Sequence, residues 1–183
     1  MSAYVPTTGG WSAPARAAVS PVSDAAPSHA IRAACPADVT DILALISPHV
    51  AAGTLLPRSA DQILSTLDQW VVVERPDGIL VGCGSLVRYN GALAELRSLV
   101  VARPYHGHGI GREIVVALLE RARALGVHTV FTLTRVEAFF ARLGFAPAAL
   151  EQFPEKARLD CALCPRQHCC DEQALVIHLN PLQ

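Results

Sequence analysis

The chain has 183 residues and a formal net charge of -1 at pH 7, and this length predicts one domain with a tail. The charge provides no basic field for a polyanion, and no apolar run is long enough to span a bilayer. We therefore expect neither nucleic acid nor a membrane among its partners. Residues 1–29 are rich in Ala, Pro and Ser and lack the basic start and apolar stretch of an export signal. We interpret them as the disordered tail of a cytoplasmic protein whose folded domain covers 30–183.

The folded domain begins with one strand and two helices, which a meander of strands follows. Apolar spacing predicts a strand over 30–35, a helix that starts at Pro36, and a second helix from its cap, Ser59, to about Asp68. Three strands joined by short turns come next, and we expect them to pair antiparallel, over 70–74, 79–87 and 93–101.

The second half of the chain alternates helices with strands. A glycine-rich turn leads into a helix over 111–125, which Gly126 ends. A strand over 128–134 and a short helix over 136–143 follow. The last two predicted strands cover 145–150 and 174–179, and between them lies a cysteine-rich loop over 160–171.

The glycine-rich turn is the strongest candidate for an anion site. A strand that runs through such a turn into a helix presents free backbone amides at the positive end of the helix dipole. Glycines let this backbone curl around phosphate oxygens, so a pyrophosphate is the natural ligand, although glycines also serve packing. We interpret the two histidines as exposed residues beside that site rather than as catalytic groups. The turn consists of His106, Gly107, His108, Gly109, Ile110 and Gly111.

The residues around the turn resemble the signature of the GCN5-related N-acetyltransferases (GNAT). The similarity extends over roughly 31–179, and its other matching segments are Ser98–Val101, Tyr105 and Phe140–Phe145. The family's turn begins with Arg or Gln, and His106 replaces that residue here. The resemblance implies a mixed α+β GNAT fold: a twisted, mostly antiparallel sheet of about seven strands with helices on both faces. The strands that carry Leu99 and Val130 would run parallel and splay apart.

The resemblance also implies acetyl-CoA as the co-substrate. By analogy with the family, the backbones of Leu99 and Val101 would pair with the pantetheine arm. The turn and Arg112 would hold the pyrophosphate. An amide near Val100 would stabilise the negative oxygen that develops when an amine attacks the thioester directly.

The candidate for the catalytic base is Glu95, which would act through water. With a side-chain period of two along the strand, Glu95 lies on the same side as Leu99. An ordinary ion pair with Arg97 is the alternative role. Many family members use a tyrosine as the acid where this chain has Phe140, so a catalytically inactive acyl-CoA-binding regulator is an alternative to an enzyme.

A narrower resemblance is to short N-acetylglutamate synthases that lack an amino-acid-kinase domain. It rests on residues 53–59, 81–86, 94–99, 130–134, the pair Phe139-Phe140 and the tail from Phe153 to Ala174. It implies L-glutamate as the acceptor and the first step of arginine synthesis. Two carboxylates need at least two guanidinium groups; Arg58 and Arg135 are best placed, and Arg97 is third. Another small amine or a peptide N-terminus is the alternative acceptor, and a homodimer is expected by fold analogy alone.

Four of the six cysteines lie in the loop over 160–171. The first two form a Cys-x-x-Cys pair, which could hold a structural zinc ion with His168 completing the ligand set. Reduced thiols or a redox pair are the alternatives, and we expect Cys35 and Cys83 to be small core residues. Without an export signal, a disulfide framework is not expected. The four residues are Cys161, Cys164, Cys169 and Cys170.

Overall fold

The computed structural model describes residues 29–180, so most of the predicted tail lies outside the described residues. The strands are β1 Ala30–Ala33, β2 Trp70–Glu74, β3 Leu80–Arg88, β4 Leu93–Val101, β5 Thr129–Thr134, β6 Ala146–Ala148 and β7 Gln173–His178. The helices are α1 Val39–Ala51, α2 Ala60–Leu64, α3 Ile110–Ala124, α4 Glu137–Ala141 and α5 Pro154–Leu159.

The seven strands form one sheet in the order β1-β2-β3-β4-β5-β7-β6. Each neighbouring pair is antiparallel except β4 and β5, which are parallel. This arrangement confirms the predicted α+β fold with a mostly antiparallel sheet of about seven strands.

Helices cover both faces of the sheet, and the strand sequences reflect it. On β2, Val71 and Val73 belong to the core against α3, whereas Trp70 and Val72 belong to the core against α1. Because both faces are covered, the strand is a continuous apolar run rather than an alternating one. The helix over Ile110–Ala124 buries its predicted apolar side, Ile114, Val115, Leu118 and Leu119.

Three local predictions differ from the structure. The helix capped by Ser59 ends at Leu64 rather than near Asp68, because the hydroxyls of the next two residues bond back to the carbonyl of Gln62. Cys35 is exposed, not a core residue, since it precedes the 3-10 turn that begins α1. The cysteine-rich stretch is not a plain loop: α5 leads into it, and it contains 3-10 turns over 161–163 and 167–169.

A bulge interrupts β4 at Ser98, whose φ of 55° lies in the left-handed region. Ser85 pairs with Arg97 and Cys83 pairs with Val100, so two residues of β4 face the single residue Gly84. The extra residue reverses which face of the sheet the following side chains occupy. It lies three residues after Glu95, the last residue of β4 that pairs with β5.

The parallel strands β4 and β5 separate after a short contact. Their paired residues are 93–95 of β4 and 129–131 of β5, and the remaining residues of the two strands have no partner across this gap. The predicted splaying of the strands that carry Leu99 and Val130 is thus confirmed. The gap opens a cleft through the sheet.

We expect Gly84→Ala to destabilise the fold by about 1–3 kcal/mol, because α3 packs directly on this part of β3. A Cβ atom at Gly84 would lie 2.8 Å from Cγ2 of Ile114, closer than side chains tolerate. The matched control is Gly91→Ala, where nothing lies within 4 Å of the added atom, and its effect should stay within about 0.5 kcal/mol. Urea unfolding measures both free energies. Equal stabilities of the two variants would contradict this account of the packing.

Candidate active site

The gap between β4 and β5 forms a cleft of about 380 Å³. Its walls come from β4, β5, α4, α5, the loop after α1 and the residues that precede β7. The charged side chains that line it are Arg58, Glu95, Arg97, Arg135, Lys156 and Glu172. The three arginines that the sequence predicted for acceptor binding therefore meet in one cleft with the predicted base.

The edge of β4 that faces the cleft carries backbone groups that β3 does not use. The amide of Ala102 donates to the carbonyl of Val81 at 2.8 Å. Hydrogen-bonded and non-bonded residue pairs alternate along an antiparallel ladder, so the backbone of Val100, two residues before Ala102, also bonds to β3. The backbone groups of Leu99 and Val101 therefore point away from β3, into the gap. The sequence placed the stabilising amide near Val100. In this register the Val100 amide points towards β3, and the outward amides are those of its neighbours, Leu99 and Val101.

The glycine-rich turn has the backbone shape of an anion site. Gly107 and Gly109 have φ values of 82° and 85°, which side-chain-bearing residues rarely adopt. Gly109 is the N-cap of α3, and no side chain caps the helix. The amides of its first turn, including those of Ile110 and Gly111, are thus left for a ligand. Arg112 is exposed beside them and makes no ion pair with any residue over 29–180.

The two histidines of the turn fold back onto the backbone. A ring nitrogen of His106 lies 2.8 Å from the carbonyl oxygen of Val101, and a ring nitrogen of His108 lies 3.0 Å from the carbonyl oxygen of His106. The carbonyl of Val101, which points into the cleft, is thus already bonded to an imidazole. A ligand that needs this carbonyl must displace the His106 ring.

The bulge overturns the reasoning that placed Glu95 on the side of Leu99. Before the bulge, Leu96 packs in the α3 core and Glu95 points to the opposite face; after it, Leu99 packs against the α3 core and Val100 faces α1. A period of two does not hold across an inserted residue. Glu95 still borders the cleft, but from the face opposite to the side chain of Leu99.

Glu95 is buried in a network of polar contacts. Its carboxylate accepts from Nζ of Lys156 at 2.9 Å, and Nη1 of Arg97 lies 3.6 Å away. The hydroxyl of Tyr89 lies 2.7 Å from Oε2 of Glu95 and 2.5 Å from Oδ2 of Asp160, and its single proton is donated to one carboxylate at a time. Burial and the charge of Glu95 raise the pKa of Tyr89 well above its usual range.

Lys156 is the central cation of this network, and the sequence did not single it out as a site residue. It is the only lysine of the chain and is 8% exposed. Although burial lowers the pKa of Lys156, the adjacent charges of Glu95 and Asp160 outweigh that effect and raise it overall. The signal in the sequence was the solitary lysine itself, in a chain whose other cations are arginines.

The three predicted arginines differ in how they are engaged. Arg97 donates to Asp160 at 3.1 Å, and Arg135 donates to Asp171 at 2.7 Å. Arg58 makes no hydrogen bond or ion pair with any residue that the structure describes. Burial and the charge of Arg97 lower the pKa of Arg58. Arg58 is therefore the guanidinium of the cleft that lacks an anion.

The cysteine-rich segment lies between the two aspartates that bind the arginines. Asp160 immediately precedes its first cysteine, and Asp171 immediately follows its last. The thiols themselves do not form the predicted zinc site, because residues 29–180 contain no group of three or more His, Cys, Asp or Glu placed to hold a metal ion. Cys161 and Cys164 are partly buried, whereas Cys169 and Cys170 are exposed. The zinc site at these four residues stays a prediction without support from this arrangement.

We expect Lys156→Met to destabilise the protein by roughly 3 kcal/mol, because it leaves the Glu95 carboxylate buried without its nearest cation. The double variant Lys156→Met, Glu95→Gln should be less destabilised than the single one, since it removes both charges. Arg158→Met, at an exposed position of the same helix, is the control and should change little. Denaturant unfolding of wild type, Lys156→Met, the single variant Glu95→Gln and the double variant gives the coupling energy. Additive effects would contradict a direct Lys156–Glu95 interaction.

Comparison with known proteins agrees with this geometry. Residues 44–145 match the model of the acetyltransferase (GNAT) family. The chain is 35% identical over 150 residues to an uncharacterized N-acetyltransferase of Chlorobaculum tepidum, covering 80% of this chain and 94% of that protein. Among residues 29–180, no helix has the length and hydropathy needed to cross a bilayer.

Two further relatives have named activities. An amino-acid acetyltransferase of Aeromonas salmonicida is 35% identical over 131 residues, which are 70% of this chain and 29% of that enzyme. The crystal structure of N-acetylglutamate synthase from Neisseria gonorrhoeae, complexed with coenzyme A and N-acetyl-glutamate, superposes with a TM-score of 0.75 at 28% identity, covering 84% of this chain and 35% of that one. The chain thus spans about a third of the length of these two enzymes. It belongs to the GNAT family of acetyltransferases.

Proposed function

We propose that this acetyltransferase moves the acetyl group of acetyl-CoA to the α-amine of L-glutamate, the first step of arginine synthesis. The observation that carries the proposal is the unpaired Arg58 guanidinium in the cleft. A partly buried cation without an anion favours a ligand that brings a carboxylate. Relatives named amino-acid acetyltransferase, and a synthase structure that contains N-acetyl-glutamate, support an acidic amino acid as the acceptor.

The co-substrate would lie along the open edge of β4. Its pyrophosphate would accept hydrogen bonds from the free amides of the glycine-rich turn, with Arg112 as an exposed counter-ion. Its pantetheine arm would pair with the backbones of Leu99 and Val101, after the His106 ring has left the Val101 carbonyl. The outward amide of Leu99 is then the donor closest to the thioester oxygen, where it would stabilise the developing negative charge.

The acceptor would enter from the α1 face of the sheet, where the charged side chains lie. Arg58 would bind one carboxylate of glutamate. Arg97 is the second guanidinium, and it would exchange Asp160 for the substrate. Arg135 could serve the same purpose by exchanging Asp171 for the substrate.

The test is an assay of coenzyme A thiol release from acetyl-CoA with a panel of amines. We expect L-glutamate to be turned over faster than glutamine, a polyamine or a peptide N-terminus, because the cleft offers guanidinium groups for two carboxylates. Aspartate, which also has two carboxylates, tests whether the spacing between these groups selects the longer side chain. Mass spectrometry of the product identifies N-acetylglutamate. Turnover of another amine without turnover of glutamate would refute the proposed acceptor, and tight acetyl-CoA binding without turnover of any amine would indicate a regulator.

For Arg58→Gln we expect kcat/KM for glutamate to fall roughly 10- to 150-fold, the value of one or two charged hydrogen bonds. The KM for acetyl-CoA should not change, since Arg58 lies on the acceptor side of the cleft. Arg58→Lys keeps the positive charge but loses the planar guanidinium group. Its kcat/KM should lie between the values of wild type and Arg58→Gln. Arg142→Gln, at an exposed position after α4, is the control. An unchanged KM for glutamate in Arg58→Gln would contradict the assigned contact.

A further inference from the structure

Attack on the thioester requires a neutral amine, so a group in the cleft must accept a proton from the acceptor ammonium. Among the described residues, two glutamates line the cleft, Glu95 and Glu172. They differ in how deeply they are buried and in how many donors contact their carboxylates.

Glu95 is poorly suited to this task. It is 2% exposed, and its oxygens lie within 3.1 Å of Lys156 and within 2.7 Å of the Tyr89 hydroxyl. With these donors around it and a side chain only 3% exposed, the carboxylate has little open space for a substrate ammonium. A bound ammonium would also have to displace the Lys156 amine, which carries the same charge. Glu95 is thus a positioning residue that anchors α5 against the sheet.

Glu172 has the opposite character. Its side chain is 28% exposed, and its nearest charged partner is Nη1 of Arg135 at 3.6 Å, beyond hydrogen-bond distance. It makes no hydrogen bond to any residue over 29–180. It directly precedes β7, whose first residue, Gln173, pairs with Thr134 at the open end of β5. Its carboxylate therefore borders the cleft with its lone pairs free.

We propose that Glu172 is the catalytic base that takes the proton from the acceptor ammonium. The charged groups around it are Arg135 after β5, Lys156 on α5, Glu95 on β4 and its neighbour Asp171. Burial raises the pKa of Glu172; the nearby cations oppose this, and the two carboxylates add to it. A raised pKa strengthens the carboxylate as a base.

The proton balance of the step is simple. The Glu172 carboxylate removes one proton from the ammonium and passes it to solvent. The amine nitrogen forms a bond to the thioester carbonyl carbon, and the carbon–sulfur bond then breaks. Coenzyme A leaves as a thiolate and is neutralised by the second proton lost from the nitrogen. The products are the N-acetylated amine, the coenzyme A thiol and one released proton.

The test compares the pH dependence of kcat and kcat/KM in wild type, Glu172→Gln and Glu172→Asp. We expect kcat of Glu172→Gln to fall about 100-fold or more, with little change in KM. Activity of the wild type should decline on an acid limb that lies above the ordinary glutamate pKa of about 4.3, since the base must be ionised. That limb should be absent from Glu172→Gln, whose residual rate should rise with the fraction of neutral amine.

The matched control is Glu151→Gln, an exposed carboxylate outside the cleft, which should behave as wild type. Coenzyme A binding and circular dichroism show whether Glu172→Gln is folded; if it is not, Glu172→Asp carries the test through a displaced acid limb. A glutamine variant with wild-type kcat and acid limb would overturn the proposal, as would a change in KM alone.

The role of Glu172 rests on the proposed amine acetylation. The experiments distinguish a wrong acceptor from a wrong base. The pH profiles use whichever amine of the panel is turned over fastest. If that amine is not glutamate, the proposed acceptor is wrong and the role of Glu172 is still measured. If glutamate is turned over and Glu172→Gln keeps its rate, the acceptor stands and Glu172 is not the base. Without turnover of any amine, both are refuted.

Discussion

One inserted residue at Ser98 shapes both sides of the cleft. Ser98 has a left-handed backbone and lies with Leu99 opposite the single residue Gly84. The pairing of β4 with β3 is thereby shifted by one residue, and each later side chain of β4 lies on the face opposite to the one that regular alternation would give it. Beyond Glu95 the strand also lacks its partner β5, so the backbone edge of Leu99 and Val101 is exposed to the gap while Val100 stays bonded inside the sheet. The bulge therefore decides which amides a thioester can reach and which side chains the acceptor meets.

Charge on the acceptor face is arranged in two layers. The inner layer, built on Lys156 and Glu95, is buried, mutually compensated and holds α5 against the sheet. The outer layer consists of guanidinium groups, of which two are bound to aspartates of the chain and Arg58 is not. The cleft thus holds one open cation and two whose aspartate partners, Asp160 and Asp171, flank the cysteine-rich segment.

The sequence predicted regular elements well where local chemistry decides them. β2 and β4 were predicted with the bounds that they have, and Ser59 caps α2 through the reciprocal bond with Gln62. It failed where the outcome depends on distant partners. A bulge leaves no periodic signature, so Glu95 and Leu99 were wrongly placed on one face. The roles of Lys156 and Glu172 depend on contacts with β4 and β5 that are far away in the chain, and α5 is too short to show a helical period.

The single lysine has a consequence for how this protein coexists with its own reagent. A thioester acetylates exposed lysine amines slowly without any catalyst, and a protein that holds such a reagent is a natural target of its own chemistry. Here the only lysine amine is buried and held in its charged, non-nucleophilic form by two carboxylates. Arginine performs every other cationic task of the chain at no such risk. The part of the surface that the structure describes therefore offers no lysine amine to stray acetylation.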